Sequence, residues 1–257
     1  MIKPETISHW YTKTGQPAYG ATLREARKQS LLPSVTSILQ VIAKPGLEAW
    51  KQEQLLVAAM QCPIIGDEDV YSYKKHVVQK SREISQTATG LGTETHTAIE
   101  RYLGGLNYSV RSEVKKSFDA AIEILKAEYD LSLALTEMTA YNKKYAGRVD
   151  LITYPKGTKR MAIVDFKTQN VKDKPTVYPE WRYQLAAYSK CNVTMAGEPM
   201  YIDIDCHLAN IIISTNPDNP GAWYKPMGSE GKKWDDAKAA YKAFMAAYTL
   251  WCMEKNW

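Results

Sequence analysis

The chain has 257 residues, of which 45% are hydrophobic and 24% are charged, enough for one large domain or two small ones with a buried core. Its longest apolar runs, such as LLVAAM at residues 55–60, are far too short to span a bilayer, and its first residues lack the apolar stretch of a signal peptide. We therefore expect an intracellular protein with no membrane partner. The four cysteines form no CxxC pair, so no iron–sulfur cluster or zinc knuckle is expected. The net charge of +5 is modest and by itself indicates no partner.

The first half of the sequence is predicted to be mainly helical. GQP at residues 15–17 predicts a turn between two short strands. Ser34 opens a capped helix, SVTSILQVIA, and LEAWKQEQLLVAAM predicts the next helix. Residues 72–103 predict one or two further helices. Another helix is indicated by apolar residues at steps of four, three and four: Val114, Phe118, Ala121 and Leu125.

Two segments interleave lysine and arginine with tyrosine. They read YSYKKHVVQKSR at residues 71–82 and YNKKYAGR at residues 141–148. Such mixtures suit single-stranded nucleic acid, because cations follow the phosphates and aromatic rings stack on bases. A solvated helix face and a solvated strand end are the alternative interpretation.

The pattern changes after Leu131. TEMTAY, VDLITY and MAIVDF predict strands, WRYQLAAYSK a helix, and CHLANIIIS and AWYKPM two more strands. A final helix has one apolar face, formed by Trp234, Ala237, Tyr241, Phe244, Tyr248 and Trp251. This order predicts an α/β fold with a central mixed sheet flanked by helices. We expect a single domain over residues 1–257, with an N-terminal hairpin and helical part at 1–84 and a core with the C-terminal helix at 85–257.

Two aspartates lie in the predicted hairpin GRVDLITYPKGTKRMAIVDFKT, residues 147–168. If the strands pair symmetrically about the loop PKGTKR, Asp150 and Asp165 face each other across the ladder. Lys167, two residues after Asp165, lies on the same face as Asp165 because strand side chains alternate. A one-residue slip would undo this alignment, so the register is decisive.

Two opposed carboxylates repel each other, so a cation is expected between them. Mg²⁺ or Mn²⁺ suits carboxylate oxygens and accepts oxygens from a phosphate. Lys167 beside such an ion would orient an attacking water and stabilise charge developing on a phosphodiester. The alternative is an exposed salt bridge among Asp165, Lys167 and Arg148, which is the more common meaning of an isolated DxK.

Two helical segments carry further polar residues. In GTETHTAIERYL, residues 92–103, His96 and Glu100 are one turn apart and share a face with apolar neighbours. A buried histidine without a functional role is the alternative for His96. In WRYQLAAYSK, Gln184 and Tyr188 are also one turn apart, where both could face a phosphate backbone.

The order GTETHTAIE, GRVDLI, IVDFKT and QLAAY resembles the RecB-like branch of the PD-(D/E)xK nuclease superfamily, over roughly residues 87–190. Upstream, LPSVTSILQ followed by Trp50 and Lys51 resembles the mitochondrial genome-maintenance exonucleases and their phage relatives. The resemblance implies a restriction-endonuclease-like core. The cysteine quartet of the iron–sulfur members is absent, and so is a P-loop, so neither an iron–sulfur cluster nor a nucleotide cofactor is expected.

The resemblance also implies roles for individual residues. It implies these metal ligands, for one or two Mg²⁺ or Mn²⁺ ions: His96, Asp150, Asp165 and the carbonyl of Phe166. It implies this catalytic set: Asp150, Asp165, Lys167, Gln184 and Tyr188. Additional positions of less defined role are Glu100, Glu137 and Thr168. The residues expected to guide DNA are Trp50, Lys51, Tyr71, Tyr73, Lys74, Lys75, Lys80 and Arg148.

These expectations together predict a metal-dependent DNA exonuclease that acts on single-stranded DNA or DNA ends, in the cytoplasm of a bacterium or of a phage-infected host. Two alternatives remain open. One is a structure-specific endonuclease on the same fold, and the other is a non-catalytic DNA-binding module associated with replication.

Overall fold

The computed structural model describes residues 9–257 except 65, 67, 196, 197, 203 and 204. The first eight residues of the predicted N-terminal part thus lie outside the described residues. The helices are α1 (Leu23–Gln29), α2 (Val35–Ile38), α3 (Pro45–Gln61), α4 (Val70–Leu103), α5 (Lys115–Glu128), α6 (Pro179–Tyr188) and α7 (Ala237–Lys255). The strands are β1 (Trp10–Tyr11), β2 (Leu32–Pro33), β3 (Tyr129–Tyr141), β4 (Ala146–Pro155), β5 (Ala162–Gln169), β6 (Asn192–Met195), β7 (Glu198–Tyr201), β8 (His207–Ser214) and β9 (Ala222–Pro226). Short 3₁₀ turns lie at Leu39–Val41, Ser112–Val114 and Lys233–Asp235.

The chain divides into two compact units. The smaller unit is Ala43–Thr97, which contains α3 and most of α4, and the larger unit combines the described residues up to Ile42 with Ala98–Trp257. This division differs from the predicted boundary at residue 84. The segment that precedes α3 belongs with the sheet because Val35, Ile38 and Leu39 are buried in one of its cores.

In the larger unit, seven strands of the described residues form one mixed sheet in the order β7-β6-β3-β4-β5-β8-β9. Neighbouring strands are antiparallel except β5 and β8, which run parallel. The α/β class with a mixed sheet flanked by helices is therefore confirmed. Asp150 lies on β4, and Asp165 and Lys167 lie on β5, in the middle of the sheet.

Two apolar cores cover the two faces of this sheet. One contains Ile163 of β5 with Leu185 of α6 and Phe244 of α7. The other contains Val164 of β5 with Phe118 of α5. Ile163 and Val164 are neighbours in sequence, and successive strand residues point to opposite faces. β5 is therefore buried on both sides.

The helices begin and end where local chemistry favours it. The side chain of Ser34 accepts a hydrogen bond from the Ser37 amide and caps α2 as predicted. α6 has Pro179 in its first turn, where the missing amide proton costs no hydrogen bond. α7 is capped by Asp236, so the predicted final helix is confirmed but starts later than Trp234, which lies in the preceding 3₁₀ turn.

Other local expectations hold in part. The turn at GQP is present, because Tyr11 pairs antiparallel with Pro17, but this pairing is an isolated bridge and β1 forms its short sheet with β2. Residues 70–103 form one helix, which is one of the two possibilities that the sequence left open. The sheet also gains β6 and β7, two four-residue strands that the pattern did not predict. Among the described residues, no helix combines the length and apolar character needed to cross a membrane.

Candidate active site

The predicted hairpin register is confirmed. β4 and β5 pair Leu151 with Val164 and Thr153 with Ala162. This is the register in which Asp150 and Asp165 were predicted to face each other, and the paired residues end one step before them, at Leu151 and Val164. The loop between the strands reverses direction at Gly157, which has φ 73° and thus adopts the left-handed conformation that glycine tolerates best.

β4 is irregular at Asp150. On the other side of β4, Thr136 pairs with Leu151 and Met138 with Val149, while Glu137 between them has φ 54°. Val149 belongs to one core and Leu151 to the other, although regular alternation would put both on the same face. A left-handed non-glycine residue within a strand is strained and is typical of functional sites.

The Asp165 carboxylate is buried, with 2% of the residue exposed, and its oxygens contact Lys167 and Asn210. Lys167 Nζ lies 3.0 Å from Oδ1 and 2.8 Å from Oδ2. Asn210 Nδ2 of β8 donates to Oδ2 at 2.8 Å. These contacts engage both oxygens of Asp165.

A chain of hydrogen bonds continues from Lys167 to α6. Lys167 Nζ donates to Gln184 Oε1 at 3.0 Å, and Gln184 Nε2 donates to the Tyr188 hydroxyl at 3.2 Å. Gln184 and Tyr188 can make these contacts because residues four apart lie on the same face of a helix. Gln184 therefore contacts Lys167 directly, and Tyr188 contacts Gln184. The predicted contact of Gln184 and Tyr188 with a phosphate stays a prediction.

The Asp150 carboxylate contacts the neighbouring strand. Its Oδ2 accepts a hydrogen bond from the Phe166 amide at 2.8 Å, so Asp150 is held next to Asp165. Burial raises the pKa of Asp150, and the positive charge of Lys167 opposes this rise. The Phe166 amide is thus engaged by a carboxylate, while the predicted use of its carbonyl by a metal stays a prediction.

Glu137 adds a further carboxylate to this region. The pKa of Glu137 is raised to about 7, first by burial and then by the charge of Asp150, while Arg148 opposes the rise. Arg148 Nη1 lies 3.1 Å from Glu137 Oε2. Glu100, at the end of α4, also acts electrostatically on both Asp150 and Glu137. The carboxyl groups of Glu100, Glu137 and Asp150 therefore influence one another electrostatically.

Tyr188 fits closely against β4. A Cβ atom on Gly147 would lie 2.7 Å from Tyr188 Cε1 and 2.9 Å from its hydroxyl oxygen. Glycine at this position thus leaves the space that the ring occupies. Burial raises the pKa of Tyr188 well above its usual value, and the charges of Asp165 and Asp150 add to this effect.

The other predicted residues lie on several elements. His96 belongs to the smaller unit, so its contact with the carboxylates stays a prediction. Thr168 lies in β5, where it pairs with Ile213 of β8. The lysines and aromatic residues expected to guide DNA also lie in the smaller unit. Of these, Lys51, Tyr71, Lys74 and Lys75 are exposed, and Trp50, Tyr73 and Lys80 are half-buried.

Three buried polar residues near the site were not predicted: Asn210, Arg182 and Asp235. Asn210 contacts Asp165, Arg182 contacts Asn210, and Asp235 pairs with Arg182. The sequence carried one usable signal, because Asn210 interrupts the otherwise apolar strand HLANIIIS. A buried polar residue in such a run requires a partner.

No protein-family model matches this chain, and no curated protein matches it significantly.

Proposed function

We propose that this chain is a metal-dependent DNA exonuclease with a restriction-endonuclease-like core. It would hydrolyse phosphodiester bonds of single-stranded DNA or DNA ends during replication, recombination or repair. One observation carries the proposal: Lys167 lies between Asp165 of its own strand and Gln184 of α6, with Asp150 held beside them. Four residues of three separate motifs thus form one cluster.

A hard divalent ion fits the chemistry of these side chains. Within the described part of the chain, no group of three or more histidine, cysteine, aspartate and glutamate side chains is arranged to hold a metal. Mg²⁺, however, is often held by one or two carboxylates, and water supplies its other ligands. Asp150 and Asp165 would provide these carboxylates, with the Phe166 carbonyl as a further oxygen.

The protein's own residues have distinct tasks in this proposal. A bound divalent ion would supply positive charge to the phosphate and lower the pKa of a bound water. Lys167, fixed by Asp165 and Gln184, would orient the attacking water and stabilise the charge that develops on the phosphate. Gln184 and Tyr188 would keep the lysine in this position. Arg148, whose side chain is 38% exposed, would reach a phosphate oxygen.

The test uses end-labelled linear single-stranded and double-stranded DNA with Mg²⁺, Mn²⁺ or a chelator. We expect shortening of the labelled strands with either metal, none in chelator, and none with Asp165→Asn. The matched control is Asp119→Asn, which replaces an exposed aspartate of α5 that pairs with Lys115. Equal activity in chelator, or in Asp165→Asn, would contradict the mechanism.

One alternative is a structure-specific endonuclease. Covalently closed single-stranded circles distinguish it, because an exonuclease needs an end and leaves circles intact. Cleavage of circles at a rate similar to that of linear DNA would favour the endonuclease.

The other alternative is a non-catalytic DNA-binding module. It gains support from the direct ion pair between Lys167 and Asp165, which already neutralises one carboxylate. DNA binding that persists in chelator, with no cleavage in any metal, would favour this alternative.

A further inference from the structure

A line of buried polar contacts leads from Asp165 away from the predicted reaction site. Asn210 lies directly beside Asp165 in the parallel pairing of β5 and β8. Its Nδ2 donates to Asp165 Oδ2 at 2.8 Å and to the Asp165 carbonyl at 3.3 Å. Asn210 is fully buried, so its amide is shielded from bulk solvent.

Arg182 determines which end of the Asn210 amide faces Asp165. Arg182 Nη1 donates to Asn210 Oδ1 at 3.1 Å. A guanidinium has only donors, so the amide oxygen must face Arg182 and the amide NH₂ must face Asp165. The side chain of Arg182 is 0% exposed. Its orientation is fixed further by hydrogen bonds from Nη1 to the Lys225 carbonyl at 2.9 Å and from Nη2 to the Pro226 carbonyl at 3.2 Å.

Asp235 provides the counter-charge for Arg182. Its Oδ1 lies 2.7 Å from Arg182 Nε, and its side chain is also 0% exposed. Its Oδ2 accepts a hydrogen bond from the Glu230 amide at 2.6 Å. A buried arginine needs a counter-charge and acceptors for its donors: Asp235 supplies the counter-charge, and one amide oxygen and two carbonyls accept hydrogen bonds from Nη1 and Nη2.

We propose that Asn210 and Arg182 are positioning residues that set the orientation of the Asp165 carboxylate for binding a divalent metal ion. Asn210 holds Oδ2, Arg182 fixes Asn210, and Asp235 fixes Arg182. This inference rests on the proposed function, because it takes Asp165 as a metal ligand. The main quantity measured in its test is metal affinity and not DNA cleavage. The alternative is that the same residues only stabilise the core.

The experiment compares Asn210→Leu with a matched control, Thr153→Val. Thr153 is also fully buried, in β4, and its hydroxyl donates to the Asp130 carbonyl at 2.7 Å. Both variants remove buried side-chain hydrogen bonds at similar volume, one at Thr153 and three at Asn210, and of the two residues it is Asn210 that contacts Asp165. Three quantities are measured: thermal unfolding without metal, Mn²⁺ affinity from the electron paramagnetic resonance of free Mn²⁺, and cleavage of single-stranded DNA over a range of Mn²⁺ concentrations.

We expect Asn210→Leu to weaken Mn²⁺ binding by roughly 10-fold or more, as is usual when a partner of a metal ligand is removed. Cleavage should fall at low Mn²⁺ and recover in part at high Mn²⁺, whereas Thr153→Val should keep the affinity of the unaltered chain. If Asn210→Leu does not fold, Arg182→Lys decides, since it keeps the charge beside Asp235 but loses the forked donors. We expect it to weaken Mn²⁺ binding in the same direction.

Several results would overturn the proposal: an unchanged Mn²⁺ affinity in the folded variants, an equal loss in Thr153→Val, or failure of both Asn210→Leu and Arg182→Lys to fold. Absence of Mn²⁺ binding by the unaltered chain would overturn both this proposal and the proposed function. Mn²⁺ binding without DNA cleavage would overturn the function alone, and the ratio of affinities would still decide the role of Asn210.

Discussion

Replacing Gly147 by alanine tests the close packing of Tyr188 against β4. The added Cβ would lie 2.7 Å from Tyr188 Cε1, 2.9 Å from the hydroxyl oxygen and 3.2 Å from Cζ, all closer than a normal contact. Tyr188 is only 2% exposed, so it lacks free space into which it can move. Overpacking of this kind costs about 1–3 kcal/mol.

Two smaller effects modify this cost. Movement of Tyr188 would break its hydrogen bond with Gln184, which contributes about 0.5–1.5 kcal/mol. Replacing glycine by alanine stabilises by about 0.4–1 kcal/mol through the unfolded chain. We therefore expect Gly147→Ala to lower the free energy of unfolding by about 1–3 kcal/mol, measured by urea denaturation. Because Gln184 also holds Lys167, DNA cleavage should fall as well.

The control is Gly90→Ala in the middle of α4, where an added Cβ meets nothing within 4 Å. This variant should be neutral or more stable by up to about 1 kcal/mol, because alanine favours helices over glycine. A double variant isolates the clash: in a Tyr188→Leu background, Gly147→Ala should cost much less, since the ring atoms are gone. Full stability of Gly147→Ala alone, or an equal cost in both backgrounds, would refute the reasoning.

Two further predictions concern groups outside the proposed site. Burial, and then the charge of Arg160, lower the pKa of His207, so its neutral form is favoured in the folded chain. The contribution of His207 to stability is therefore fully present above its unfolded pKa of about 6.5 and is lost as the pH falls below that value. Urea denaturation at decreasing pH should show this loss of stability, and the loss should be smaller in His207→Gln. Burial also raises the pKa of the Cys191 thiol, so mass spectrometry should find Cys191 alkylated more slowly than the half-buried Cys62 at neutral pH. Equal rates at the two thiols, or an unchanged acid loss in His207→Gln, would contradict these expectations.

The sequence by itself determined the elements that depend on local chemistry. The loop PKGTKR and the equal distances of Asp150 and Asp165 from its centre were enough to predict the register of the hairpin. A turn fixes which residues face each other, and the side-chain period of two then fixes their faces. The apolar spacing that predicted α7 worked for the same reason, since a helix repeats every 3.6 residues.

Short and contextual elements escaped prediction. β6 and β7 have four residues each, too few for a periodic pattern to stand out. The left-handed conformation of Glu137 also has no local cause in the sequence, because glutamate rarely adopts it without support from the surrounding fold.

Only the tertiary structure decided how the proposed site is supported. Asn210, Arg182 and Asp235 are distant in sequence, and they meet because β8 pairs with β5 and α6 packs between the sheet and the segment before α7. They contact one another and backbone carbonyls, which no single segment reveals. Turn chemistry and periodicity act over a few residues, whereas the partners of a buried polar side chain are chosen by the packing of the whole core.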